Sequence, residues 1–168
     1  MATTLRSLLF SAATALGLAL VALQASAQPA SAHDPRGRWV TASGNLVVEI
    51  APCGPQLCGT VVQVLGNRSM SRDGAEMAPV DARPALGMTL LQSFTPTETG
   101  DATLPATEWD GKIYNRENGK TYRCKMSVTT AANAAGELVL HAYVGIPLFG
   151  STQRWHRAAA DAAAPAQQ

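Results

Sequence analysis

From Arg38 to Arg157 the apolar positions recur mostly at every second residue. Leu46, Val48 and Ile50 alternate with Val47 and Glu49. Tyr122, Cys124, Met126 and Val128 alternate with Arg123, Lys125 and Ser127, and Leu138, Leu140 and Ala142 with Glu137, Val139 and His141. A period of two is that of a β-strand with one buried face. Turn-forming residues punctuate the pattern at Ser43-Gly44-Asn45, Gly54-Pro55, Glu117-Asn118-Gly119 and Asn133 to Gly136. The spacing predicts strands over residues 38–42, 45–52, 57–65, 88–94, 107–115, 120–128, 137–144 and 151–157, with a short helical turn somewhere between Asp73 and Ala85. No strong helical period and no internal repeat is present. An all-β fold of about eight short antiparallel strands is expected. Closure into a barrel is favoured because it removes exposed sheet edges, with a two-sheet sandwich as the alternative.

The first residues follow a different rule. "MATTLRSLLFSAATALGLALVALQASA" carries one basic residue, Arg6, then an apolar run from Leu8 to Leu23, and reaches the small-residue site Ala25-Ser26-Ala27. This is the pattern of a secretory signal cleaved after Ala27, with Ala30-Ser31-Ala32 as a second site. The run is short for a membrane span, which needs about 20 apolar residues. The chain therefore divides into a signal peptide (1–27), a linker (28–36), a β-barrel domain (37–157) and an Ala-rich tail (158–168). The tail has no bulky apolar residue to offset the cost of ordering. The mature protein is expected in the periplasm or outside the cell, with no stable membrane insertion.

Charge narrows the partners. Without Arg6 the basic count falls from 13 to 12, against 12 acidic residues. With no surplus and no basic cluster, neither nucleic acid nor an anionic membrane surface has electrostatic support as a partner.

Export changes what the cysteines mean, since thiols in an oxidising compartment pair before they do anything else. Placing Gly54 to Leu57 as a four-residue loop sets Cys53 opposite Cys58. Facing positions of an antiparallel pair lie about 4.5 to 5.5 Å apart at Cα, which suits a disulfide. Such a staple contributes roughly 2 kcal/mol in the chain-entropy picture. A metal site would need further ligands, and His33, His141 and His156 are scattered, so no metal or other cofactor is expected. Cys124 shares a face with Tyr122, Met126 and Val128 and reads as a buried free thiol.

Several stretches together resemble a known family. "GRWVTASGNLVVEIAPCGPQLCGTVV", "DARPALGM", "WDGKIYNRENGKTYRCKM" and "YVGIPLFGSTQRWHR" run in order from Gly37 to Arg157 and are similar to the uncharacterised secreted bacterial family called domain of unknown function 2147. The resemblance implies a small up-and-down, lipocalin-like barrel in the cell envelope. It brings no activity and no catalytic residues. The chain departs from the family pattern at the Gly66 to Ala82 connection and in a longer Thr95 to Thr107 loop. A looser likeness to lipocalins implies one device of barrel closure, in which Gly37 and Trp39 open the first strand and Arg157, from the end of the last, covers the tryptophan.

Two functional classes follow. A small eight-stranded barrel has room for its own side chains or for one small ligand. The candidate walls of an apolar pocket, chosen by alternation, are Trp109, Ile113, Tyr122, Met126 and Leu140. A filled barrel would instead be an envelope scaffold or interaction domain working through its surface. No nucleophile elbow, metal cluster or paired-carboxylate motif is present. Glu108 and Asp110, flanking Trp109, read as an outer charged edge. No catalytic residue is assigned, and a non-catalytic binder of a small apolar molecule is the expectation.

Overall fold

The computed structural model describes residues 33–69, 75–97 and 107–159. The expected signal peptide, and most of the expected linker and tail, lie outside the described residues. The alternating segments form β1 (Gly37–Val40), β2 (Leu46–Cys53), β3 (Gln56–Val64), β4 (Thr89–Pro96), β5 (Glu108–Asn115), β6 (Lys120–Thr129), β7 (Glu137–Tyr143) and β8 (Gly150–Arg157). Each strand pairs antiparallel with the next, and β8 returns to β1 through Trp39–Arg157 and Val40–His156. That last ladder makes the fold an all-β closed up-and-down barrel and removes the sandwich alternative.

Two local expectations are corrected. The described part of the Asp73 to Ala85 segment is irregular chain rather than a helical turn. Its amides bond outward to other segments, Met77 to the Asn67 carbonyl, Val80 to that of Glu117 and Asp81 to that of Arg116. Pro79 and Pro84 supply no amide for a helical ladder. The β2–β3 loop is Gly54-Pro55 alone, not Gly54 to Leu57, because Gly54 adopts φ +67° and lets the chain reverse in two residues. Cys53 then pairs in register with Gln56, and Cys58 with Ala51. The two cysteines form a disulfide diagonally across the hairpin, with Cα atoms 5.7 Å apart.

The barrel has two unlike ends. One carries the β2–β3 and β6–β7 hairpins, the start of β1 and the end of β8, and it is closed. Trp39 is fully buried there, its indole N–H donating to the Pro35 carbonyl at 2.7 Å. The Arg157 guanidinium lies 3.9 Å from the Trp39 ring centroid and donates to the carbonyls of Arg36 and Asp34, both at 2.6 Å. Gly37, at φ +110°, leaves the space: a Cβ there would stand 3.0 Å from an Arg157 nitrogen.

Above this plug the inward side chains of the lower barrel form the core. Trp109, Met126, Leu140, Phe94 and Leu138 are all buried in one cluster with Trp39. A bulge in β4 completes the packing. Ser93 takes φ +57°, so that Ser93 and Phe94 together oppose the single residue Gly111 of β5. Phe94 turns inward into the room Gly111 leaves, and a Cβ on Gly111 would meet the phenyl ring at 2.6 Å.

The outward faces are polar. Glu49, Arg38, Lys125, Glu108, Glu137 and Arg154 pair with one another there, Lys125 meeting Glu108 at 2.6 Å and Asp110 at 3.9 Å. Apolar inside and charged outside is the inverse of the pattern on a membrane-spanning barrel.

Candidate functional site

The other end of the barrel is open. It is framed by the β1–β2 turn (41–45), the described parts of the β3–β4 connection (65–69 and 75–88), the β5–β6 turn (116–119) and the β7–β8 loop (144–149). Below them lies a cavity of about 1090 Å³. Its floor and lower wall are Leu90, Ile113, Tyr122, Ala142 and Trp155. Part of the space comes from two inward positions of the upper barrel. Ala142 offers only a methyl group, and the Tyr122 hydroxyl reaches up to accept from Asn118 at 2.8 Å.

A second bulge shapes the wall. Val48 pairs with Val61, and Leu46 with Val64, so β3 has two residues, Val62 and Gln63, where β2 has only Val47. The extra residue shifts the alternation, and both Leu46 and Val64 reach the cavity.

The connection across the mouth is fastened at both edges. Asn45, itself buried, donates to the Arg68 carbonyl at 2.6 Å and accepts from the Arg68 amide at 2.9 Å. On the far side the Tyr114 hydroxyl donates to Asp81 at 2.7 Å, and Arg83 pairs with the same carboxylate. The Arg83 hydrogen bond, and then that of Tyr114, hold the Asp81 carboxyl well below the usual carboxylate range. The hydrogen bond to Asp81 in turn pushes the Tyr114 phenol up.

The rim itself is apolar to an unusual degree. Every large hydrophobic residue exposed among the described residues lies at this end: Val64, Leu65, Val80, Leu86, Val144, Ile146, Leu148 and Phe149. Leu148 is 81% exposed and Phe149 72%. Four of these exposed residues, Val64, Val144, Leu148 and Phe149, line the cavity itself.

Of the pocket walls expected from alternation, Ile113 and Tyr122 line the cavity, whereas Trp109, Met126 and Leu140 are buried in the packed half beneath it. Alternation identifies the inward face but not the height along the barrel. Trp155, Leu90 and Ala142 were not anticipated. The apolar run Val144 to Phe149, broken by Gly145 and Pro147, was a readable sign of an apolar hairpin loop.

Other chemistry is sparse. Cys124 is buried, and desolvation pushes its thiol up to about 12, so it is protonated at neutral pH. Among the described residues no three His, Cys, Asp or Glu side chains are grouped to hold a metal ion.

The family described as "Uncharacterized protein conserved in bacteria", domain of unknown function 2147, matches residues 37–157, which is the whole barrel. The chain belongs to that family. This member of domain of unknown function 2147 has no match among curated proteins. Among solved structures it is similar to HP1028 from the human pathogen Helicobacter pylori, described as belonging to the lipocalin family, with a TM-score of 0.50 and 16% identity over 76% of this chain and 85% of that one. At that identity the likeness speaks for the fold alone, a lipocalin-like barrel.

Proposed function

We propose that this member of domain of unknown function 2147 is an exported, non-catalytic binding protein of the cell envelope that holds one small, largely apolar molecule in the upper half of its barrel. The observation that carries the reading is the cavity of about 1090 Å³ over a floor of Leu90, Ile113 and Trp155. Small-molecule sites typically enclose roughly 300–1,000 Å³ with mostly apolar walls and a few polar groups. Burial of ligand surface on such a floor supplies about 25 cal/mol per Å² before the costs of association are subtracted.

The signal-like first residues, the disulfide and the charged barrel exterior support export of a water-soluble domain. No helix among the described residues is long and apolar enough to cross a membrane. A scaffold with a filled core fits the closed half of the barrel and leaves the hollow half without a use.

Native mass spectrometry of the protein purified from its own envelope, set beside a denatured sample, tests the proposal. A small mass retained only in the native sample is expected. A bare polypeptide mass in both, with no uptake of added apolar probe, returns the protein to the scaffold reading.

A further inference from the structure

The arginines of the described residues fall into three groups. Arg36, Arg38, Arg83 and Arg154 each face a carboxylate, on Asp34, Glu49, Asp81 and Glu137. Arg123 and Arg157 lie over the rings of Tyr143 and Trp39. Arg68 and Arg116 alone have neither a carboxylate nor an aromatic partner, and both line the cavity. Each is held in place through a neutral carbonyl: Arg68 donates to that of Ser43 at 3.3 Å, and Arg116 to that of Arg83 at 3.2 Å.

The segments carrying them are joined. The Ser69 hydroxyl donates to Glu117 at 2.5 Å, so the residue after Arg68 is bonded to the residue after Arg116. Glu117 is the one other charged residue on the cavity lining, and its carboxylate is engaged by Ser69. Elsewhere around the mouth Asp81 is taken by Arg83 and Tyr114. Glu76 is bridged to Arg68 through the backbone, and among the described residues no ion pair forms between their side chains. Two positioned guanidiniums without a carboxylate partner among the described residues therefore line the same cavity, above a floor with no charge.

Resting on the binding reading above, we propose that the ligand is an anionic amphiphile: a single apolar chain on the Ile113, Leu90 and Trp155 floor, with a carboxylate or phosphate head held at the rim by Arg68 and Arg116. Guanidinium groups suit both heads because each offers forked N–H donors to paired oxygens. The site is partly solvated, since Arg68 is exposed and Arg116 half-buried. Its contribution is accordingly that of rim contacts rather than of a buried ion pair.

The test is competition against Nile red, a neutral apolar probe, by hexadecanoate, hexadecyl phosphate and 1-hexadecanol, each kept below its micelle concentration. The two anions should displace the probe about tenfold more tightly than the alcohol, the sum of two modest charge-assisted contacts, with the advantage shrinking in high salt. The better of the two anions identifies the head. Measured against each protein's own affinity for Nile red, the R68Q/R116Q variant should lose the preference for the anions over the alcohol, and R68K/R116K should retain most of it. If hexadecanol competes as well as the anions, or if R68Q/R116Q keeps the preference, the head-group assignment is overturned while the binding reading stands. If neither Nile red nor any amphiphile binds the parent protein, both fall together.

Discussion

At the scale of single residues, the closed end rests on Trp39. Its ring lies between the barrel core and the Arg157 guanidinium, and its one polar atom is satisfied by Pro35. Cation-π contact adds roughly 0.5–2 kcal/mol to what burial of the ring supplies. Trp39→Ala should therefore cost about 3–5 kcal/mol in denaturant unfolding, the range for a large buried aromatic. A loss under about 1 kcal/mol would be that of a surface position. Burial lowers the Arg157 pKa, with Asp34 opposing the shift, so desolvation is the cost of this arrangement. Cys124 yields a second expectation. Buried and held as a thiol, it should resist iodoacetamide in the native protein and be alkylated only on unfolding, as read by peptide mass. Rapid native alkylation would place it on an accessible surface.

At the scale of elements, strand positions were legible because period-two alternation is a direct consequence of one buried face. The predicted and observed strands differ by no more than two residues at either end. The bulges were not legible. The extra residue of β3 opposite Val47, and Ser93-Phe94 opposite Gly111, each change which side chains face inward without leaving any mark in the alternation. Height along the barrel is equally invisible, which is why Trp109, Met126 and Leu140 were expected on the same wall as Ile113 and Tyr122. Gly111→Ala tests the β4 bulge. With only 2.6 Å from the new Cβ to the Phe94 ring, the strand must shift, and a loss of about 1–3 kcal/mol is expected in denaturant unfolding. No change would mean that Phe94 does not fill the waist of the barrel. The connection over the mouth should respond to acid. The Asp81 pKa is lowered in the folded protein, so its stabilising effect is complete above the ordinary carboxylate value of about 3.9 and is lost as pH falls toward the lower folded value. Exchange protection of the Val80 and Asp81 amides should hold from neutral pH to about pH 5 and weaken only in stronger acid. In Asp81→Asn that acid dependence should be absent, and an unchanged profile there would assign it to another group.

At the scale of the whole molecule, the barrel is two halves that differ in packing. The closed half is packed by Trp39, Phe94, Trp109, Met126 and Leu140. The open half gives up packing for space, and it gathers the exposed apolar side chains of the described surface around its mouth. Family membership and fold agree with the resemblance visible in the motifs from Gly37 to Arg157. The cavity was only half legible, because its floor depends on bulges and its rim on loop residues outside the alternating pattern. The central claim is that the hollow half receives an apolar molecule, and blocking it by one substitution is the most direct test. Ala142 lines the cavity and is only half-buried, so Ala142→Trp adds bulk where the structure has space. Nile red titration of the parent and of Ala142→Trp, with circular dichroism to show that both are folded, is the measurement. Saturable binding by the parent and at least tenfold weaker binding by folded Ala142→Trp are predicted, a difference of about 1.4 kcal/mol or more. Equal binding by the two proteins, or none by the parent, would contradict the account.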